Sequence, residues 1–278
     1  RAQFSWAQAI GEELFFNDVL PYASINERRD AWRKDFFGRF SQLVKDCKTP
    51  GEAAQVLNKE IWSIVDVRYH ATKRPKPDQS PYESIEAKFA SCSGLSVMLI
   101  DACRSVGVPA RFVGTPMWSN KRGNHSWVEV WDGSDWQYTG ACEYNPSGLG
   151  KAWFAGSAAK AVKDDPRHAI YASSWKKAEA RFPLVWDLGV DYVHAENVTD
   201  RYAGRKSRRV FIDLIQRPGG KRVAAGVEVF CKGKRIAAGR TRDATNDTND
   251  MFGIALRSGE DHELRVSLSE NDVLIRKF

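Results

Sequence analysis

A carbonyl-attacking nucleophile can be sought first among the thiols, because an ionised cysteine is strongly nucleophilic near neutral pH. The chain has five, at positions 47, 92, 103, 142 and 231. Cys92 has the most suggestive surroundings. It follows Ser91 and precedes Ser93-Gly94, after which Leu95, Met98, Leu99, Ala102, Cys103 and Val106 recur at helical spacing until Gly107 and Pro109 end the pattern. That arrangement places Cys92 in the first turn of a helix, with Ser91 as N-cap. Unpaired N–H groups and the positive end of the helix dipole favour a thiolate there, and the small residues let a substrate backbone approach. Cys103 lies on the apolar stripe, where a buried thiol is inert. A thiol nucleophile needs a base, a role His fills near neutral pH. His125 is the best placed of five, opening a strictly alternating run just after Gly123-Asn124, whereas His70, His168, His194 and His262 have weaker contexts.

The elements that position this pair can be read outward from it. Ala110 to Gly114 predicts one strand and Gly123 to Trp131 another, with His125, Trp127, Glu129 and Trp131 on one face and Ser126, Val128 and Val130 on the other. Asp132-Gly133 turns into a partner strand through Trp136 and Tyr138. Upstream, apolar spacing predicts helices over Trp6 to Leu20, Trp32 to Val44 and from Thr49-Pro50 through Ile61. Pro75, Pro77 and Pro81 interrupt a polar surface loop after His70. Beyond Asp200, short alternating runs separated by Gly, Asn and Asp predict a small β-sandwich.

With 278 residues, 42% hydrophobic and 28% charged, the chain can bury one large domain or two smaller ones. No apolar run is long enough to span a bilayer. The cysteines are odd in number and lack a Cys-x-x-Cys pair, which suits neither a disulfide framework nor a zinc cage. A start at Arg1 rather than Met fits a processed or trimmed chain whose targeting peptide is gone. Lys and Arg balance Asp and Glu at 25 each through residue 200, but outnumber them 17 to 10 thereafter, so the whole net charge of +7 sits in the last quarter. Such a tail suits an anionic partner such as a cell-envelope polymer, although a solvated basic surface explains it as well. No specific nucleic-acid signature is present. Asp243, Asn246, Asp247, Asn249 and Asp250 crowd oxygen donors together without the order of a calcium loop, and a solvated turn is the better reading.

Order and spacing sharpen the Cys and His pairing. Ser91-Cys92-Ser93-Gly94-Leu95, then Gly107-Val108-Pro109-Ala110-Arg111, then His125-Ser126-Trp127-Val128-Glu129 resemble the core motif of the transglutaminase-like superfamily, over about residues 85 to 145. That resemblance implies an α+β papain-like fold, thiol-dependent acyl transfer without a cofactor or metal, and an Asp on the next strand that orients the His ring. Counted from Trp136, the acid position falls on Gly140. Glu143, three residues on, is the expected substitute, with Asn145 as fallback. The Cys92 N–H and a second donor would meet the oxyanion; Trp62 is a candidate for that donor, and Trp62, Trp118 and Trp127 are candidate substrate-binding residues unless they simply pack the core.

The expected organisation is a helical layer plus catalytic core over residues 1–175, a connector over 176–205 and a β-sandwich over 206–278. Loose similarity of the tail to immunoglobulin-like or carboxypeptidase-regulatory-like sandwiches implies a secreted or periplasmic enzyme. Peptide or related amide hydrolysis is the expected reaction, on a peptide or protein substrate. Transamidation through the same thioester and an inactive binding scaffold are its rivals.

Overall fold

The structure is a computed structural model that describes residues 3–202, 207–231, 233–247, 250–257, 261–269 and 272–278. It divides into two units, residues 1–203 and 204–278.

The first unit is built on the Cys92–Ser105 helix, buried at nearly every position and packed against an antiparallel sheet. Strand order in that sheet is Trp136–Thr139, His125–Trp131, Ala110–Thr115, Tyr171–Ser174, His194–Asn197, Ala180–Arg181. Val128 and Val130 share the helix-side core with Leu95, Met98, Leu99 and Ala102, while Trp127 packs with Trp118, Phe154 and Tyr202 in a second cluster. The period-2 pattern of this strand thus separates two cores.

Trp32–Phe40 lays Trp32, Phe36 and Phe40, all fully buried, against the Cys92 helix. Burying each such side chain contributes about 1.5–3 kcal/mol. Pro50–Val65 begins as its sequence signals, with Pro50 in the first turn and Thr49 Oγ1 accepting the Glu52 N–H at 3.1 Å. Between residues 5 and 19, in contrast to one expected helix, the chain forms Ser5–Ala9, Glu12–Leu14 and a π-helical turn over Phe15–Val19. Gly11 stands at the break. Arg104 holds this irregular segment. From within the Cys92 helix its buried guanidinium donates to the carbonyls of Asp18, Ala23 and Ala110 at 2.9–3.1 Å.

The 176–205 stretch, expected as a connector, is largely integral to the first unit. Two of its segments complete the sheet, and the Thr199–Tyr202 turn plugs the second core cluster with Tyr202. Strands of two and four residues separated by Pro183, Gly189 and charged residues carry too little periodicity to be read as part of a sheet.

The second unit holds a four-stranded antiparallel sheet, ordered Lys234–Arg240, Gly226–Cys231, His262–Ser269, Asp272–Lys277, and a pair formed by Phe252–Arg257 with Ser207–Ile212. Val229 from the first packs with Ile254 and Leu256 from the second, making a small β-sandwich. The oxygen-rich turn is organised around Arg222, whose Nη2 donates to the carbonyls of Asp243, Asn246 and Asp247. Asn249 lies outside the described residues.

Candidate active site

Cys92 is the first residue of its helix, and Ser91 occupies the N-cap position in an extended conformation. The Ser91 side chain makes no capping hydrogen bond. Backbone N–H groups of the first turn have no acceptor within the helix, so they and the positive end of the dipole lie at the end of the helix that carries the sulfur. Gly94 lets the helix start sit close to its surroundings: a Cβ there would meet Ala90 Cβ at 3.0 Å and Gln79 Cβ at 3.3 Å.

His125 begins the neighbouring strand. Ser93 Oγ and Ser126 Oγ, each one residue beyond the candidate pair, are 3.1 Å apart and buried, which ties the helix start to the strand start. Cys92 and His125 line one cavity of about 540 Å³, along with Tyr69, Trp118, Asn120, Arg122, Asn124, Cys142, Glu143 and Trp153 among others. The imidazole is 9% exposed, with ring centroids of Trp153 and Phe154 at 5.0 Å and those of Trp127 and Trp118 at 5.8 and 5.9 Å. Burial among these rings lowers its pKa from 6.5 to about 4, so the ring is neutral at pH 7. Its Nε2 is buried and has no hydrogen-bond partner.

Glu143 faces the same cavity, but its carboxylate is bonded elsewhere: Oε1 accepts the Trp153 indole N–H at 2.9 Å and Oε2 has no partner. Burial raises the Glu143 pKa, with the Trp153 bond opposing. A Cβ built on Gly140 would lie 2.0 Å from Glu143 Oε2 and 2.6 Å from its Cδ. The carboxylate therefore fills the volume that a side chain at Gly140, the expected acid position, would enter. Asn145 is not part of the cavity wall; its carbonyl accepts from Gln55 and its Oδ1 from the Ser147 N–H.

Of the three tryptophans named from sequence, Trp118 lines the cavity. Trp127 is fully buried and donates its N–H to Tyr202 Oη at 2.9 Å. Trp62 is also absent from the cavity wall, and its N–H is committed to the Asn58 carbonyl in its own helix at 2.7 Å. It is not available there as an oxyanion donor.

The two motif strands are joined by side chains as well as by backbone pairing. Arg111 and Glu129 are direct partners across the strand pair, with Arg111 Nη2 and Nε at 2.7 and 2.8 Å from Glu129 Oε2. Tyr202 Oη donates to the other Glu129 oxygen at 2.7 Å. With the Cys helix and the start of the His-Trp-Glu strand lining one cavity, and the Arg strand paired alongside the latter, the match of residues 39–141 to the family model for the transglutaminase-like superfamily has its structural counterpart. Residues 39–141 form a transglutaminase-like core.

No curated protein matches the chain. Solved structures similar to it include a candidate cysteine protease from Cytophaga hutchinsonii (16% identity, TM-score 0.39, 70% of this chain and 60% of that one). Red sea bream transglutaminase is another (10% identity, TM-score 0.34, 88% and 57%). A third is a candidate protease from Parabacteroides distasonis (8% identity, TM-score 0.34, 54% and 28%). The chain thus spans between 28 and 60% of the length of these proteins.

Sequence reading missed two residues that shape the transglutaminase-like core at its site. Trp153 is 68% exposed, yet it spans from the Glu143 carboxylate to the His125 ring. Asn58, on the Pro50–Val65 helix, is buried; its amide donates to Thr139 Oγ1 and the Gly140 carbonyl and accepts the Cys142 N–H, all at 2.9–3.0 Å. A polar residue on the buried face of an apolar helix was the available signal for Asn58. Trp153 had none, since only the fold brings residue 153 to residue 125.

Proposed function

We propose that the chain is a cysteine enzyme that hydrolyses peptide or related amide bonds through a thioester on Cys92. The observation that carries this reading is the shared cavity: a cysteine at a helix N-terminus and a buried, neutral His125 with an unpartnered Nε2, their neighbours linked through Ser93 and Ser126.

In this mechanism the Cys92 sulfur and His125 Nε2 close to hydrogen-bonding distance as substrate binds, since catalytic hydrogen bonds are commonly loose without substrate. Nε2 takes the thiol proton as sulfur attacks the carbonyl carbon, and the Cys92 N–H faces the developing oxyanion. Collapse breaks the C–N bond, and the imidazolium returns the proton to the leaving amine. Water, deprotonated by the same nitrogen, then attacks the thioester; the acid leaves and the thiol is restored. Glu143 would steady the imidazolium once released from Trp153.

Alkylation provides the direct test. Burial raises the thiol pKa of Cys47, Cys103 and Cys142, which gives internal controls. Cys92 is expected to react with iodoacetamide ahead of these, and to lose that advantage in His125→Ala. Cys92→Ala is expected to abolish turnover of a peptide library. Equal labelling of Cys92 and Cys47, unaffected by His125→Ala, would favour an inactive scaffold. Mass change of a Gln-containing peptide with and without a primary amine separates hydrolysis from transamidation.

A further inference from the structure

We infer that the preferred substrate carries a carboxylate beside the scissile amide and that Arg122 recognises it. This rests on the cysteine-hydrolase reading above and names the substrate class that reading leaves open.

Arginines of the first unit are mostly committed: Arg28 and Arg39 to carboxylates, Arg33 and Arg104 to backbone carbonyls, Arg111 to Glu129 and Glu196. Arg122 differs. Its side chain lines the cavity that holds Cys92 and His125, is exposed, and forms no ion pair or side-chain hydrogen bond among the described residues. Its backbone is fixed. The Trp118 N–H donates to the Gly123 carbonyl at 2.8 Å, the Lys121 N–H to the Trp118 carbonyl at 2.8 Å, and Asn120 Oδ1 accepts the Arg122 N–H at 3.2 Å. Lys121 and Gly123 take the left-handed conformation that this tight loop requires. A guanidinium rooted in a fixed loop presents a planar fork, which suits bidentate pairing with a carboxylate.

The rest of the lining agrees. Among the described residues Arg122 is the only Lys or Arg on the cavity wall, and Glu143, the only acid there, is held by Trp153 and has a raised pKa. Asn120 and Asn124 add neutral polar groups beside the guanidinium, and Tyr69 and Trp153, 58% and 68% exposed, offer flat faces to the peptide flanking the carboxylate. The ligand carboxylate could be an acidic side chain or the free C-terminus of a peptide, and paired substrates distinguish them.

The test uses four otherwise identical peptides, with Glu or Gln near the scissile bond and with a free or amidated C-terminus. Turnover is measured with the full chain, and binding is measured by calorimetry with Cys92→Ala, so that the recognition result stands even if no peptide is cleaved. The expected outcome is a preference of tenfold to a hundredfold, to order of magnitude, for one of the two carboxylates. In Arg122→Gln that preference should collapse to about threefold or less, chiefly through KM and through binding to the Cys92→Ala form, and Arg122→Lys should restore it in part. Indifference of the unaltered chain to both carboxylates would overturn the proposal. So would an Arg122→Gln variant that weakens all four peptides equally.

Discussion

Charge placement governs the residues of the site. His125 is enclosed by aromatic rings, and its folded pKa near 4 lies below the ordinary 6.5, so protonation favours the unfolded chain. Its contribution to stability is complete above about pH 6.5 and is lost as the pH falls through 4. Asp18 acts oppositely: burial raises its pKa from 3.8 to about 6, so its contribution is present at low pH and disappears as the pH rises through 6. Comparison with His125→Gln isolates the histidine. Urea denaturation should show the unaltered protein losing more stability than the variant between pH 7 and pH 4.5, and no difference would contradict the burial argument. The Gly140 and Glu143 geometry makes a second prediction. Gly140→Ala forces the Glu143 carboxylate out of its place and should lower kcat by about tenfold or more, whereas Gly140→Asp combined with Glu143→Ala returns a carboxylate to that space and should recover much of the loss. Failure of the double variant to exceed Glu143→Ala would show that occupying this volume is not what matters.

Elements converge on the site through a few polar ties and close approaches. Asn58 carries the Pro50–Val65 helix to the turn that bears Gly140 and Glu143, and its replacement takes a partner from the Thr139 hydroxyl, the Gly140 carbonyl and the Cys142 N–H. Asn58→Ala should destabilise the protein by about 1–3 kcal/mol in thermal or urea unfolding, and should also depress kcat because the Glu143 turn loses its anchor. Gly107 ends the Cys92 helix with φ +80°, and a Cβ there would lie 2.5 Å from Ala7 Cβ. Gly107→Ala combines left-handed strain with a steric clash, and a loss of about 1–3 kcal/mol is expected. The sequence already marked Gly107 as a helix stop through its place after Val106. It did not reveal the contact with Ala7, which lies a hundred residues away.

In the molecule as a whole, the surplus positive charge of the last quarter has a structural role available besides partner binding. Lys234, Arg240, Arg276 and Lys277 lie on the two outer strands of the four-stranded sheet, and Asp272–Lys277 exposes Val273, Leu274 and Ile275 as well. Charged residues on such edges discourage strand addition from other molecules. Replacing Arg276 and Lys277 by Ser should increase self-association in light scattering, while retention on immobilised polyglutamate that falls with salt would favour an anionic partner. The amino-acid sequence alone determined the order of the motifs, the helix beginning at Cys92, the strand beginning at His125 and the short strands of the tail, because each is written in local periodicity and turn chemistry. Tertiary structure decided that the 180–181 and 194–197 segments complete the first sheet, that Trp62 points its donor into its own helix, and that Trp153 binds the Glu143 carboxylate while its ring packs against that of His125. Those outcomes depend on contacts between residues far apart in the chain, which leave no periodic trace for a local reading to find.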